Sequence, residues 1–187
     1  MPEHFFAKLF SGMFIGMAPL VSTSSIIAEE KEKDTLRVLI MSNVHPVQYL
    51  LGIGSYVFLL CMMGALVFGV CGGYQTTTLL QFLLIMGSGI LISIIIGAII
   101  GICAKNQMAA TSLTVPVMLV LAFLPMLAMF NETIAKIAKF FYSQQAFLLI
   151  NNLGIKNPEA ENILILTANF LLVAMLFLLS YRKMKLD

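Results

Sequence analysis

The chain has 187 residues, of which 60% are hydrophobic and 11% charged, and its formal net charge is +2. Soluble domains carry about 25% charged and about 45–50% apolar residues, so this composition excludes an ordinary water-soluble domain and points into a lipid bilayer. The small net charge, with no basic stripe and no CxxC or zinc pattern, excludes nucleic-acid binding and metal-finger classes.

A membrane-crossing helix needs about 20 predominantly apolar residues, or about 30 Å of rise. Taken in chain order, the runs that qualify are Phe5 to Ala28, Tyr49 to Cys71, Leu79 to Cys103, Leu113 to Phe130 and Ile163 to Tyr181. The predicted class is therefore all-α: a polytopic membrane bundle of five spans forming a single domain over residues 1–187. The first run is too long for a signal-peptide core, and Glu3 and His4 accompany the single Lys8, so it reads as a retained helix. Its polar Ser22-Thr23-Ser24-Ser25 can bond back to the helix backbone or face neighbouring helices. Cys61, Cys71 and Cys103 lie in or beside apolar runs and read as small packing residues, not as a disulfide framework.

In the third run Gly89, Ser93, Gly97 and Gly101 place a small residue at every fourth position, a stripe that lets another backbone approach closely. Gly12 and Gly16 repeat the pattern in the first run. Contact within one chain is the preferred reading, with a subunit interface as the alternative. Pro19, Pro116 and Pro125 each free a carbonyl and predict kinks.

Between the first two runs lies the one dense charged stretch, Glu29-Glu30-Lys31-Glu32-Lys33-Asp34-Thr35-Leu36-Arg37. Charge of this density must face water, so residues 29–48 are predicted to form a largely helical segment outside the hydrocarbon. Leu36, Leu39 and Ile40 give it an apolar face, Glu29 and Lys33 can pair at i, i+4, and Pro46 suits the first position of the next helix. A second segment outside the spans covers residues 131–161. There Ile134, Ile137, Ala138 and Phe141 recur at helical spacing with Lys136 and Lys139 off that face, predicting an amphipathic helix. Its apolar continuation, Phe147-Leu148-Leu149-Ile150, is too short to span. Two readings stay open, an interfacial cover over the bundle and an external gate or re-entrant element.

Orientation follows from the basic residues. With the charged segment inside, Lys31, Lys33, Arg37, Lys105, Arg182, Lys183 and Lys185 are cytoplasmic, while Lys8, Lys136, Lys139 and Lys156 are external. That bias agrees with the positive-inside rule and puts the C-terminus in the cytoplasm and the N-terminus outside.

Catalytic chemistry finds no support in the sequence. No intramembrane carboxylate pair is present, and His4 and His45 have no ligand-spaced partner, so neither a catalytic nor a metal site is expected. Glu29-Glu30 invites comparison with intramembrane glutamate proteases, but the arginine that their motif places four positions later is Asp34 here. No GxxxxGK[ST] loop exists to hold ATP.

The charged stretch, continuing through Val38-Leu39, Met41-Ser42 and Tyr49-Leu50-Leu51-Gly52, resembles the permease subunits of type-2 ATP-binding-cassette (ABC) exporters. Their pattern is an acidic–basic run, then Gly-Thr-Leu, a hydrophobic pair, Ser-Pro-Val and Leu-Leu-Gly-Lys. Leu124-Pro125-Met126-Leu127 and Ile137 to Gln145 are similar to that family's external segment before its last span. Asp34, Asn43 and Ile53 depart from the pattern. The family has six spans, so the chain is expected to lack the first, as a truncated product, half of a split permease or a natural short form.

The resemblance implies a membrane subunit of an ATP-driven exporter in a cell membrane, by analogy the bacterial cytoplasmic membrane. It implies as partners a separate ABC ATPase subunit, a second permease subunit and the lipid bilayer. The chain itself would be neither an enzyme nor a cofactor carrier, with ATP bound by the ATPase. Segment 29–48 would be the coupling helix, with Glu30, Glu32, Thr35, Leu36, Arg37, Pro46 and Gly52 meeting or positioning the ATPase contact. Ile134, Ile137 and Phe141 would belong to the external gate. Export of an amphipathic drug, peptide or lipid is the function implied, and the rival reading is a non-transporting regulatory or scaffold subunit or a permease fragment.

Overall fold

A computed structural model describes residues 5–33, 46–153 and 160–183. Thr35, Leu36 and Arg37 of the expected coupling helix lie outside these residues. The elements are α1 (Phe5–Glu32), α2 (Pro46–Cys71), α3 (Thr76–Cys103), α4 (Gln107–Ala128), α5 (Glu132–Ala138), α6 (Tyr142–Asn151) and α7 (Ala160–Lys183). Five of them, α1, α2, α3, α4 and α7, are long and apolar enough to cross a membrane. They overlap the five runs expected from composition. Among the described residues there is no strand, and the fold is an all-α polytopic bundle.

Local chemistry sets the helix ends. Asn106 caps α4 by accepting from Ala109 N at 2.8 Å, and Asn131 caps α5 by accepting from Thr133 N at 2.9 Å. Gly73, at φ 67°, makes the tight turn between α2 and α3, a conformation that a side chain disfavours. Pro46 is the first residue of α2, where its missing N–H costs no helical bond. α1 does not stop at Ala28 but continues through Glu32, carrying the first half of the charged run on its last turn.

α1 is the hub of the bundle, packed most extensively on α3 and α4 and also on α2 and α6. The stripe on α3 faces it. A Cβ on Gly97 would lie 2.6 Å from Leu20 O, and one on Gly101 would lie 2.9 Å from Ser24 O. On the other side of α1 a Cβ on Gly16 would meet Ala122 N of α4 at 2.8 Å. Where the hydrophobic effect is absent, such backbone approach supplies the contact area that holds helices together.

One polar bond fixes the register of this contact. Pro19 has no N–H, so it leaves the carbonyl of Ile15, four residues earlier, without its helical donor. Ser93 of α3 donates to that oxygen at 2.6 Å, and its hydroxyl also shares a 2.7 Å hydrogen bond with Tyr142 of α6.

The segment after α4 differs from expectation in a specific way. The helix foreseen through Phe141 ends at Ala138, and Phe141 instead caps the start of α6. The carbonyls at the break are taken by side chains: Gln145 Nε2 donates to Lys139 O, and Asn169 Nδ2 donates to Phe140 O at 3.0 Å. α6 then runs antiparallel to the N-terminal half of α1. Asn151 O accepts from Lys8 Nζ at 3.2 Å, Phe147 lies against Gly12, and Tyr142 is level with Ile15, about 15 Å along α1 from Phe5. The short run Phe147 to Ile150, too short to span, lies on the second leg of this α5–α6 hairpin, with Phe147, Leu149 and Ile150 buried. The irregular backbone at the break is tolerated because protein side chains satisfy it.

Candidate functional site: the charged end of the first helix

Consecutive residues on a helix point about 100° apart, so a run of charges on its last turn fans out to different neighbours. Glu30 accepts a hydrogen bond from the Tyr49 hydroxyl of α2. Lys31 Nζ donates to Ile102 O and Ala104 O, each at 2.8 Å. Glu32 Oε2 accepts from Gln107 N at 2.9 Å. Glu29 and Lys33 close the group with an exposed i, i+4 ion pair at 2.5 Å, and that hydrogen bond to Glu29 holds the Lys33 ammonium above its ordinary pKa.

The signs match the helix ends they touch. The last carbonyls of α3 have no helical donor and sit at the negative end of its dipole, and a cation, Lys31, occupies that place. The first N–H groups of α4 sit at a positive end, and a carboxylate, Glu32, occupies that one. The turn 104–106 between α3 and α4 is therefore gripped from both sides by adjacent residues of α1. Small residues seat it: Ala28, Ala104 and Ala110 are buried against one another. One turn further into the bundle, Thr114 of α4 donates to the Ser24 hydroxyl at 2.9 Å. An open cleft of ≈ 810 Å³ adjoins the grip, lined by Glu32, Gln107, Met108, Thr111 and Ser112 among others.

The expected site residues separate into distinct places. Glu30 and Glu32 lie on the last turn of α1 with partners inside the chain, and Pro46 begins α2. Gly52 is exposed on α2, where a Cβ would meet nothing within 4 Å. Gly89, Ser93, Gly97 and Gly101 face α1 of the same chain. Ile134 is half-buried, Ile137 is 57% exposed and Phe141 caps α6, so these three do not share one face. Lys31, Tyr49, Ala104 and Gln107 were not foreseen. A lysine in the last turn of a helix is a known complement to carbonyls, but nothing in the sequence joins position 31 to position 104.

Among the described residues no group of three His, Cys, Asp or Glu side chains stands close enough to hold a metal. A family model described as ABC-2 family transporter protein matches residues 3–182. No curated protein and no solved structure matches the chain significantly. With five membrane-capable helices in an all-helical bundle and a match over nearly its whole length, the chain belongs to the ABC-2 transporter family as a membrane subunit.

Proposed function

We propose that this permease subunit works in an ATP-driven exporter, with residues 29–48 docking a separate ATPase subunit and a second permease completing the pore. The observation that carries this reading is the grip of Glu30, Lys31 and Glu32 on three different helices. Force applied to the segment after Lys33 reaches α1 directly, α2 through Tyr49, and the turn between α3 and α4 through Lys31 and Glu32. Because α1 is the hub, tilting its charged end reorients the whole bundle. The ATPase would bind and hydrolyse ATP; the permease would convert its closure into a change of access. The apolar spans suit an amphipathic cargo such as a drug, peptide or lipid. By the basic-residue bias, the charged end lies in the cytoplasm.

Docking and transmission can be tested apart. Arg37→Glu should lower co-purification with the ATPase. Lys31→Met should leave co-purification intact but cut export of a fluorescent amphipathic dye per ATP hydrolysed by about tenfold, which corresponds to about 1.4 kcal/mol of lost coupling. Lys31→Arg, which keeps the cation, should restore most of it. Full export by Lys31→Met would reject the transmission role. ATPase binding with no export by the wild type would instead favour a scaffold subunit.

A further inference from the structure

A second feature lies on the opposite flank of α3, independent of the ATPase-coupled reading. Between α2, α3 and α7 runs a half-enclosed cleft of ≈ 540 Å³, lined by residues such as Gly54, Phe58, Leu91, Ile95, Phe170 and Phe177. From Phe170 to Leu178 it extends about 12 Å along α7, close to the depth of one bilayer leaflet. Apart from Phe170, near the middle of α7, its lining residues come from the halves of α2, α3 and α7 nearest the charged end of the bundle.

We propose that this cleft binds an acyl chain of an anionic phospholipid from the leaflet on the charged side. Its volume lies in the range of small-molecule sites, about 300–1,000 Å³. Ser55 is the one polar side chain on its lining, and its hydroxyl already donates to Gly52 O at 2.9 Å. An apolar cleft of this kind does not hold water, so hydrocarbon is the occupant that its chemistry accepts. Gly54 keeps it open: a Cβ there would touch Ile94 Cγ2 at an ordinary 3.6 Å, so a larger side chain is tolerated by the backbone and would fill the space. Charge selects the headgroup. The backbone of α7 runs on about one turn past Leu178, at the charged end of the cleft, through positions 182 and 183, which the sequence fills with Arg and Lys. Basic residues beside grooves between membrane helices favour acidic headgroups.

The chain contains no Trp, so a single introduced Trp reports without background. Phe170→Trp places the reporter in the cleft, and Leu171→Trp places it at the same depth on a helix position outside the lining. The full chain, reconstituted in phosphatidylcholine vesicles, is titrated with phosphatidylglycerol or phosphatidylethanolamine carrying brominated acyl chains. At low mole fraction, brominated phosphatidylglycerol should quench Phe170→Trp several-fold more than Leu171→Trp. Adding Gly54→Leu should abolish that excess, and Arg182→Gln with Lys183→Gln should remove the preference over phosphatidylethanolamine. Equal quenching at the two positions, in proportion to mole fraction, would reduce the cleft to ordinary lipid contact and overturn the proposal. So would the absence of quenching at position 170, which would mean a second protein copy covers the cleft. Excess quenching that is the same for both lipids would overturn the anionic headgroup.

Discussion

Ser93 shows how one hydroxyl can settle the position of three elements. It answers the carbonyl that Pro19 leaves free on α1, and it holds the Tyr142 hydroxyl at the buried start of α6. Ser93→Ala should therefore lower stability by about 1–2 kcal/mol, read as earlier thermal unfolding in detergent. If the freed carbonyl is the reason, Pro19→Ala, which restores an N–H to α1, should absorb part of that loss. A double-mutant cycle should show coupling near 1 kcal/mol, whereas strict additivity would contradict the link. Glycines on the same bundle separate by surroundings. Gly97→Ala drives a Cβ into Leu20 O and should cost about 1–3 kcal/mol, because neither backbone can yield alone. Gly52→Ala meets nothing and should be neutral or stabilising by up to about 1 kcal/mol through helix propensity. A reversed order in unfolding temperature would refute the close approach of α1 and α3.

At the scale of elements, the spans were legible because length and hydropathy alone demand them. The extent of α1 was not. Residues 29–48 read as a helical segment separate from the span, yet Glu29 to Glu32 continue α1, with Glu30, Lys31 and Glu32 partnered by other helices. The hairpin of α5 and α6 was legible only in part. Seven- and ten-residue helices carry too little apolar periodicity to declare whether they lie on the surface or insert. What holds the hairpin is tertiary: Asn169 and Gln145 satisfy the carbonyls at the break, and Gly12 leaves room for Phe147. Burying α6 also carries a cost, since Ser143 Oγ, Gln144 Oε1 and Gln145 Oε1 are buried without a hydrogen-bond partner within the protein. A spin label at Ile137 should be reached by dissolved oxygen but little by an aqueous nickel complex, and one at Ala146, fully buried, by neither. Aqueous access at both would return the segment to a surface loop.

For the whole molecule, the helix-end electrostatics lie along the mechanical path proposed above. Three adjacent residues of the hub helix hold α2, the end of α3 and the start of α4, and the α1–α3 stripe makes that hub stiff by backbone contact. The residues that dock an ATPase and those that pass its motion onward would then be neighbours in the chain with different tasks. The family resemblance pointed at the first group from local motif. The second depends on partners far away in sequence, such as Lys31 and Ala104, and only the folded bundle brings them together. The most direct measurement is a pair of spin-label distances in the permease–ATPase complex, nucleotide-free and trapped with ATP and vanadate. Labels at Lys33 and Lys105 should keep one narrow distance in both states while the outer pair, Thr77 and Glu132, shifts; in Lys31→Met the inner distance should broaden. An inner distance that changes with nucleotide in the wild type, or that is indifferent to Lys31→Met, would contradict the grip as the path of coupling.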